Sequence, residues 1–382
     1  MNNTRTSMHT QNNGYLGIMI CEKPSDNAQT LPFSEIHFYR RLSLEGTKLG
    51  LRVFVFSPCR IEWALNKVWG YLYSPKTRNW SKLLFPLPDL VYNRCFYRGR
   101  QQYMDHRSSM LKLVEHTHAR FLGIALRGKW EVQQALWKEP DFRPHLPPTG
   151  LYRGPKTIIP WFKSKRQVFL KPQGGSQGRG ILHVIWKNRG HYVIKGRDRN
   201  NRMLQLHFTR SLTLFQWINQ FIQRKKYIIQ PYLTLTNYLN EAYDIRSLVQ
   251  KNGCGLWQIT GIAVRRGPSG SITSNLHGGG KAEEVRPFLE AEFGGIRTDE
   301  LISRIQQLSL QIPPVLEQNH GRLFELGIDF GIDHQGRIWV LEVNSKPGRA
   351  VFAQLGDKPA VFKSIFNPVS YARYILDKPS GG

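Results

Sequence analysis

The sequence lacks several patterns that would assign it to a common class of protein. It has no run of about 18 apolar residues, so no membrane-spanning helix is expected. Its four cysteines (Cys21, Cys59, Cys95 and Cys254) show no C-x-x-C spacing, which predicts neither a zinc site nor a disulfide framework. We therefore expect reduced, buried thiols in a soluble, cytoplasmic protein.

Acidic residues are scarce. The chain has 27 Asp and Glu against 54 Lys and Arg, which gives a net charge of +27 and a pI near 10.2. This excess predicts attraction to polyanions such as nucleic acids, acidic peptides or phosphorylated ligands. The basic residues form short clusters without a low-complexity tail, so the charge belongs to a folded surface. A solvated basic face is the simplest interpretation of any single cluster.

The first third of the chain is patterned as an α/β domain. Residues 16–21 and 51–56 are strand-like, and a helical pattern at 34–49 lies between them. This strand–helix–strand order predicts a parallel sheet, to which 90–92 adds another strand. No glycine-rich turn follows the first strand, so the dinucleotide fingerprint is absent.

The pattern changes around residues 122–150, where a helix at 129–138 precedes a proline-rich linker. Strand-rich α+β segments follow, and they include a helix at 299–311 that Pro313 and Pro314 should stop or kink. The expected segments are a disordered tail (1–13), an α/β domain (14–121), a linker with its helix (122–150), two subdomains (151–232 and 233–376) and a tail (377–382).

Residues 327–348 carry the most informative pattern. Asp329 ends one apolar run, Glu342 lies in a second, and turn formers separate them, which predicts two paired strands. Glu342 and Asn344 leave the same face of a strand, and pairing can bring Asp329 beside them. Two carboxylates and an amide oxygen form the hard donor set that Mg²⁺ binds together with phosphates. A nucleotide-using enzyme is therefore predicted.

A lysine followed by a glycine-rich loop is the second pattern. Lys171 follows an apolar strand, and four glycines fall within residues 174–180. Backbone amides of such a loop can approach phosphate oxygens, and the lysine can reach them as a point charge. An ordinary hairpin loop explains the glycines equally well. The segment is not a P-loop, because no G-K-[ST] follows.

Further segments suit a nucleotide site only when taken together. The run 227–232 ends in Q-P-Y and suits a hinge beside an adenine edge, and Arg246 and Arg265 lie on two predicted strands. Residues 274–280 form a second glycine-rich loop, which contains His277. A strand arginine usually extends to the surface, and His277 alone is more typical of a loop histidine than of a catalytic base.

The order of these motifs is specific. It resembles the ATP-grasp superfamily, and within it the YheC/YheD-like group, which is described as endospore coat-associated. The F-L-K-P-x-x-G-S-x-G-x-G pattern at 169–180 and the S-N-L-H-G-G-G segment carry the likeness over about residues 122–375. Ser274 departs from the group, which often has threonine directly before the residue that is Asn275 here.

The resemblance implies an α/β domain followed by a two-subdomain ATP-grasp fold. It also implies a carboxylate–amine (or thiol) ligase that works through an acylphosphate and forms ADP and phosphate. The implied cofactors are ATP and one or two Mg²⁺ ions, for which Mn²⁺ could substitute. The implied residues are, for phosphoryl stabilisation, Arg246, Arg265 and Asn275; for ATP, Lys129, Lys171, Gly174, Gly175, Ser176, Gly178, Gly180, Gln230, Pro231 and Tyr232; and for metal, Asp329, Glu342 and Asn344.

Two rival interpretations stay open. One keeps the fold without catalysis, as an ATP-binding or polyanion-binding structural protein of the spore coat. The other is a nucleic-acid-binding protein, although no recognised nucleic-acid module is present. The expected partners are ATP, a carboxylate substrate such as an acidic peptide or polymer, and spore-coat proteins, with no specific nucleic acid. Deposition on the endospore coat is an alternative to a purely cytoplasmic location.

Overall fold

The computed structural model describes residues 14–23, 30–97, 99–115, 117–175, 178–188, 190–268, 271, 274 and 279–378. The predicted N-terminal tail and most of the predicted C-terminal tail lie outside these residues. Contacts divide the chain into two compact units. The first comprises the chain up to Ile124 together with Gln250–Gln258 and the segment from Val361, and the second comprises Ala125–Val249 and Ile259–Ala360.

Six strands and two helices form most of the first unit. They are β1 (Gly14–Met19), α1 (Ile36–Lys48), β2 (Leu51–Glu62), β3 (Lys67–Ser74), β4 (Asn79–Pro86), β5 (Leu90–Asn93), α2 (Arg100–Glu115) and β6 (Arg120–Phe121). The sheet order is β4-β3-β2-β1-β5-β6, in which β2, β1, β5 and β6 are parallel. The predicted parallel sheet is present, and β3 and β4 extend it as an antiparallel hairpin.

The apolar pattern explains how α1 and the sheet pack. Leu16, Ile18 and Met19 of β1 are fully buried, and because the adjacent residues Ile18 and Met19 project from opposite faces, both faces of the strand are covered. The helix approaches β2 at Gly46, where a Cβ atom would lie 2.3 Å from a methyl carbon of Val53. A side chain at this position would push the helix away from the sheet.

The second unit begins with an antiparallel sheet. Its elements are α3 (Lys129–Lys138), β7 (Gly150–Tyr152), α4 (Ile159–Lys165), β8 (Gln167–Pro172), β9 (Leu182–Asn188), β10 (His191–Arg197), β11 (Met203–Phe208), α5 (Ser211–Ile222) and β12 (Tyr227–Pro231). The order is β11-β10-β9-β8-β12-β7, with α4 and α5 contributing buried apolar side chains to its core. This arrangement places the end of β8 beside β12.

A second sheet completes this unit. Its elements are β13 (Tyr243–Lys251), β14 (Trp257–Arg266), β15 (Lys281–Glu283), α6 (Val285–Phe293), α7 (Gly295–His320), β16 (Glu325–Ile332), β17 (Ile338–Asn344) and α8 (Ala350–Leu355). The order is β15-β14-β13-β16-β17. Together with the first unit, these two sheets confirm the predicted combination of α/β and α+β architecture.

The final helix, α9 (Lys358–Asp377), belongs mainly to the first unit. Its Leu376 lies so close to β1 that a Cβ on Gly14 would approach one of its methyl carbons to 2.3 Å. It also contacts the tip of the β13–β14 hairpin, where Gly255 faces the ring of Tyr374. Three distant parts of the sequence therefore build the first unit.

The prolines at 313 and 314 do not end their helix. The sequence predicts that they stop or kink it, and the predicted stop is wrong, because α7 continues through them to His320. A proline inside a helix costs about 3 kcal/mol, because it removes a hydrogen bond and crowds the preceding turn. Ile312 and Leu316 are buried on the same helix face across this point, so burial of apolar surface offsets the cost.

Among the described residues, none of the helices has the length and apolar character that crossing a bilayer requires.

Candidate active site

The β16–β17 hairpin forms as the sequence predicts. Asp329 lies directly opposite Glu342, and Gly327 lies opposite Asn344, so both carboxylates and the amide project from one face of the sheet. The register then shifts, because Phe330 pairs with Val340 and the residue between Val340 and Glu342 is left over as a bulge. The bulge lies just before Glu342, so Glu342 and Asn344 share one face in the last residues of β17.

Asp329 forms the centre of a buried network of charges. Its Oδ1 accepts from Arg246 Nε at 2.5 Å and its Oδ2 accepts from Arg246 Nη2 at 3.0 Å. Arg265 Nη2 is also 3.0 Å from Oδ2. Burial alone would raise the pKa of the Asp329 carboxyl group, but the two guanidinium groups overcome that effect and hold the pKa below its usual value.

Arg265 bridges a second aspartate. It donates to Asp244 through Nε at 2.6 Å and Nη2 at 2.8 Å, and the Ser274 hydroxyl donates to the same carboxylate. Burial raises the pKa of Asp244, Arg265 opposes that rise, and the nearby charge of Asp329 adds to it. Sequence reasoning missed Asp244 and Ser274 as site residues. The D-I-R spacing was the available signal, because residues two apart share a strand face.

Two lysines lie beside the carboxylates. Lys129, the first residue of α3, is 3.1 Å from Glu342 Oε1 and donates to the carbonyl oxygen of Gly175 at 3.0 Å. Lys171 at the end of β8 lines the same cavity. Burial lowers the pKa of Lys171 to about 8; Glu342 opposes this shift and the positive charge of Lys129 adds to it.

The glycine-rich loop follows Lys171 and closes against β12. Gly180 has φ 74°, and a Cβ there would lie 2.9 Å from the hydroxyl oxygen of Tyr227. That hydroxyl donates to the Gly180 carbonyl at 2.8 Å, which fixes the end of the loop. Gly174, Gly175 and Gly178 lie in the described part of the loop, whereas Ser176 lies outside the described residues. So does Asn275 in the second glycine-rich segment.

The predicted hinge lies at the edge of the cavity. Gln230, Pro231 and Tyr232 all line it, and the Gln230 amide donates to the Thr149 hydroxyl at 2.8 Å. The Tyr232 ring stacks on His183, with centroids 3.6 Å apart and an interplanar angle of 6°. Burial lowers the pKa of His183 to about 3, so the imidazole is neutral at physiological pH. Sequence reasoning missed His183, because only strand pairing brings β9 beside the hinge.

These side chains line one cavity of about 170 Å³. The cavity joins both sheets of the second unit. Its lining residues include Lys129, Phe169, Lys171, Gly175, Gly178, Arg179, Gln230, Pro231, Tyr232, Asp244, Arg265, Ser274, Asp329 and Glu342. Arg246 reaches the cavity wall through Asp329 rather than directly.

The donor set fits a hard divalent cation. Asp329, Glu342 and Asn344 offer only oxygens of the kind that Mg²⁺ prefers. Three N–H groups already contact the Asp329 oxygens, which leaves about one of its four lone-pair sites. Among the described residues Glu342 forms one ion pair, with Lys129, so it retains more acceptor capacity. Glu342 is therefore the principal candidate ligand, with Asp329 as a constrained neighbour.

Known proteins share this sequence pattern. The family model described as YheC/D-like ATP-grasp matches residues 118–375, which is more than half of the chain. The endospore coat-associated protein YheC of Bacillus subtilis (strain 168) is 28% identical over 350 residues, which cover 91% of this chain and 94% of that protein.

Solved structures share the fold. The ATP-grasp ligase PsnB, complexed with a minimal precursor, superposes with a TM-score of 0.53 at 13% identity, covering 96% of this chain and 99% of that one. The D-cycloserine synthetase DcsG superposes with a TM-score of 0.52 at 11% identity, covering 94% and 100%. At these identities the likeness establishes the fold alone.

Proposed function

Because this chain belongs to the YheC/D-like ATP-grasp family, we propose that it is an Mg²⁺-dependent ligase that uses ATP to activate a carboxylate. In the first step a carboxylate oxygen attacks the γ-phosphorus, which forms an acylphosphate and releases ADP. In the second step an amine or thiol attacks the acyl carbon, phosphate leaves, and the nucleophile loses its proton. The opposed pair Asp329 and Glu342, with two lysines beside it, is the observation that carries this proposal.

The lysines are suited to the triphosphate. Lys171 is half-buried in the cavity wall, and among the described residues no carboxylate contacts its ammonium group, so its charge is available to phosphate oxygens. Lys129 binds Glu342 and the Gly175 carbonyl, and it therefore connects the carboxylate face to the glycine-rich loop. We expect the loop at 174–180 to cover the phosphates with its backbone amides.

The arginines are suited to fixed electrostatic stabilisation. Each is held by two hydrogen bonds to a buried carboxylate, so its position is set before substrate binds. Charges that are already oriented cost little reorganisation when the phosphoryl group moves. Arg265 lines the cavity and is the better candidate for direct contact, while Arg246 positions Asp329. Asn275 retains its proposed role at the phosphoryl group, and Ser176 retains its proposed role in binding ATP.

The adenine base would lie at the hinge. Gln230–Tyr232 line the cavity and offer backbone groups, and the Tyr232 ring is backed by the stacked ring of His183. A bound Mg²⁺ would offset phosphate charge at Glu342, Asn344 and Asp329. The chain's own residues then bind the nucleotide, orient it and keep the reacting carboxylate near Arg265.

The carboxylate substrate is proposed to be an acidic peptide or polymer. The net charge of +27 favours a polyanionic substrate. PsnB is an ATP-grasp ligase complexed with a minimal precursor, so the fold accommodates a precursor ligand in that protein. The name of YheC suggests association with the endospore coat for this chain as well.

An ADP-release assay tests the proposal. The protein is incubated with ATP and Mg²⁺ and a panel of amino acids, acidic peptides and cell-wall fragments, each with and without an added amine. We expect ADP and phosphate in equal amounts only when carboxylate and nucleophile are both present. ATP binding without turnover across the whole panel would favour the non-catalytic spore-coat protein. Absence of ATP binding would overturn the ligase proposal and leave only a polyanion-binding structural protein.

A further inference from the structure

Two cysteines lie at the same edge of the parallel sheet in the first unit. Cys21 and Cys95 each follow the last residue of their strand, β1 and β5, by two positions. The strands pair with Met19 opposite Asn93, so the same register places Cys21 level with Cys95. The carboxyl edge of an open parallel sheet is where such folds usually hold a ligand.

A histidine from α2 completes the cluster. His106 Nδ1 is 3.7 Å from Cys21 Sγ and 4.0 Å from Cys95 Sγ. The three potential ligand atoms all lie within 4.8 Å of one another. Cys95 and His106 are buried and Cys21 is half-buried, so the group opens to solvent on the Cys21 side. No part of the proposed ATP chemistry uses these residues.

The spacing matches that of a tetrahedral zinc site. With Zn–S near 2.3 Å and Zn–N near 2.0–2.1 Å, tetrahedral angles place sulfur and nitrogen about 3.6 Å apart and the two sulfurs about 3.8 Å apart. The observed distances from His106 Nδ1 to the two sulfurs, 3.7 and 4.0 Å, differ from this by a few tenths of an ångström. Small side-chain movements would therefore admit a metal ion at the centre.

We propose that Cys21, Cys95 and His106 bind one Zn²⁺ ion, with water in the fourth position on the side open to solvent. Thiolate and imidazole donors are soft and favour Zn²⁺ over the hard Mg²⁺ expected at the carboxylates of the second unit. On binding, each thiol loses a proton to solvent, and the neutral imidazole donates the Nδ1 lone pair. The balance is one Zn²⁺ taken up and two protons released.

The apolar surroundings are suited to such a site. Cys95 belongs to a core cluster with Met19 and Phe56, and the Tyr97 ring packs edge-on against His106 at 5.6 Å. An apolar shell limits access of water and raises the strength of the thiolate–metal bonds. The ion would tie the ends of β1 and β5 to α2, so metal binding is expected to stabilise the first unit.

The test uses the full-length, reduced, metal-free protein. Zn²⁺ affinity is measured by competition with a chromophoric chelator, and Co²⁺ is added separately to detect thiolate-to-cobalt charge-transfer absorption. We expect one ion per chain, a charge-transfer band that stoichiometric Zn²⁺ removes, two protons released per ion, and a higher thermal unfolding midpoint with Zn²⁺. Cys21→Ser and Cys95→Ser should each lower the affinity at least about tenfold.

Cys254→Ser is the matched control, because Cys254 is exposed and lies outside the cluster. Its Zn²⁺ affinity should equal that of the unaltered chain. Glu342→Gln is the second control and should also leave it unchanged. The proposal is overturned if Co²⁺ produces no thiolate band, if Zn²⁺ binding survives loss of both Cys21 and Cys95, or if these two cysteines form a disulfide that excludes metal. The band and the proton count need no variant, so they stand even if a substitution prevents folding.

Discussion

Asp329 and Glu342 face each other directly across the antiparallel strands β16 and β17. Like charges in such a position are destabilising, and here each carboxylate is matched by a different cation: Arg246 for Asp329 and Lys129 for Glu342. The unequal burial of these pairs gives them different roles. Asp329 is held in place, whereas Glu342, one quarter exposed, remains open to an added ligand.

Glu342→Gln should abolish turnover without unfolding the protein. The amide removes a negative charge opposite Asp329, so the stability should change by no more than about 1 kcal/mol, while ADP formation should fall by about 100-fold or more. ADP release and thermal unfolding measure the two effects. Glu300→Gln on the surface of α7 is the control. Full activity in the Glu342 variant would rule out a metal role for this residue.

ATP binding should depend on the protonation of Lys171. Burial lowers the pKa of this lysine to about 8, so the ammonium form predominates below that pH and is lost above it. Phosphates favour the ammonium form, so ATP affinity should fall by up to about tenfold per pH unit above pH 8. In Lys171→Arg the charge persists and the decline should disappear. Equilibrium binding between about pH 6 and 10 tests this, with the exposed Lys138→Arg as control. Identical pH profiles for Lys171→Arg and the unaltered chain would contradict it.

Replacing Arg265 should destabilise the folded protein, and a second substitution should recover part of the lost stability. Arg265→Met leaves Asp244 as a buried, uncompensated carboxylate, which should cost about 3–5 kcal/mol of unfolding free energy. The double variant with Asp244→Asn should recover much of that loss, as urea denaturation would show. Arg286→Met, which removes only exposed, solvent-screened ion pairs, should leave the unfolding free energy nearly unchanged. Strict additivity of the Arg265 and Asp244 substitutions would contradict the network.

The His183–Tyr232 stack should act through its rings rather than through charge. Because burial lowers the pKa of His183 to about 3, no histidine titration should appear in ATP binding above pH 5. His183→Phe should preserve ATP affinity, and His183→Ala should weaken it by about two- to tenfold through loss of stacking. Nucleotide titration measures both variants, with the exposed Tyr238→Ala as control. Equal weakening by Phe and Ala would show that a polar property of His183 matters instead.

The sequence predicts those features of the site that depend on local spacing. Asp329, Glu342 and Asn344 could be placed on one face because alternation along a strand is fixed by backbone geometry. The same rule applied to the D-I-R segment would have included Asp244. This rule could not reveal which cation pairs with each carboxylate, because some partners lie on strands that are far apart in the sequence. Arg246 and Asp329, for example, are more than 80 residues apart.

The cysteine–histidine cluster shows the opposite situation. Cys21 and Cys95 are 74 positions apart and His106 lies on the helix that follows, so no short-range spacing in the sequence predicts this cluster. Only the parallel register of β1 and β5 brings them level. The sequence does not predict that α7 continues beyond Pro313 and Pro314 for a related reason, since the burial that outweighs two prolines is a tertiary effect.

The first unit is built from segments that lie far apart in the sequence, and this affects how it folds during protein synthesis. Its sheet is encoded at the start of the chain, but the hairpin tip at 250–258 and most of α9 are translated much later. Chains usually fold from the N-terminus as they emerge, yet here β1 cannot contact Leu376 until α9 has been translated. Until α9 has emerged, the nascent sheet therefore exposes apolar surface to solvent. We expect the ribosome-bound chain to depend on chaperones during that time.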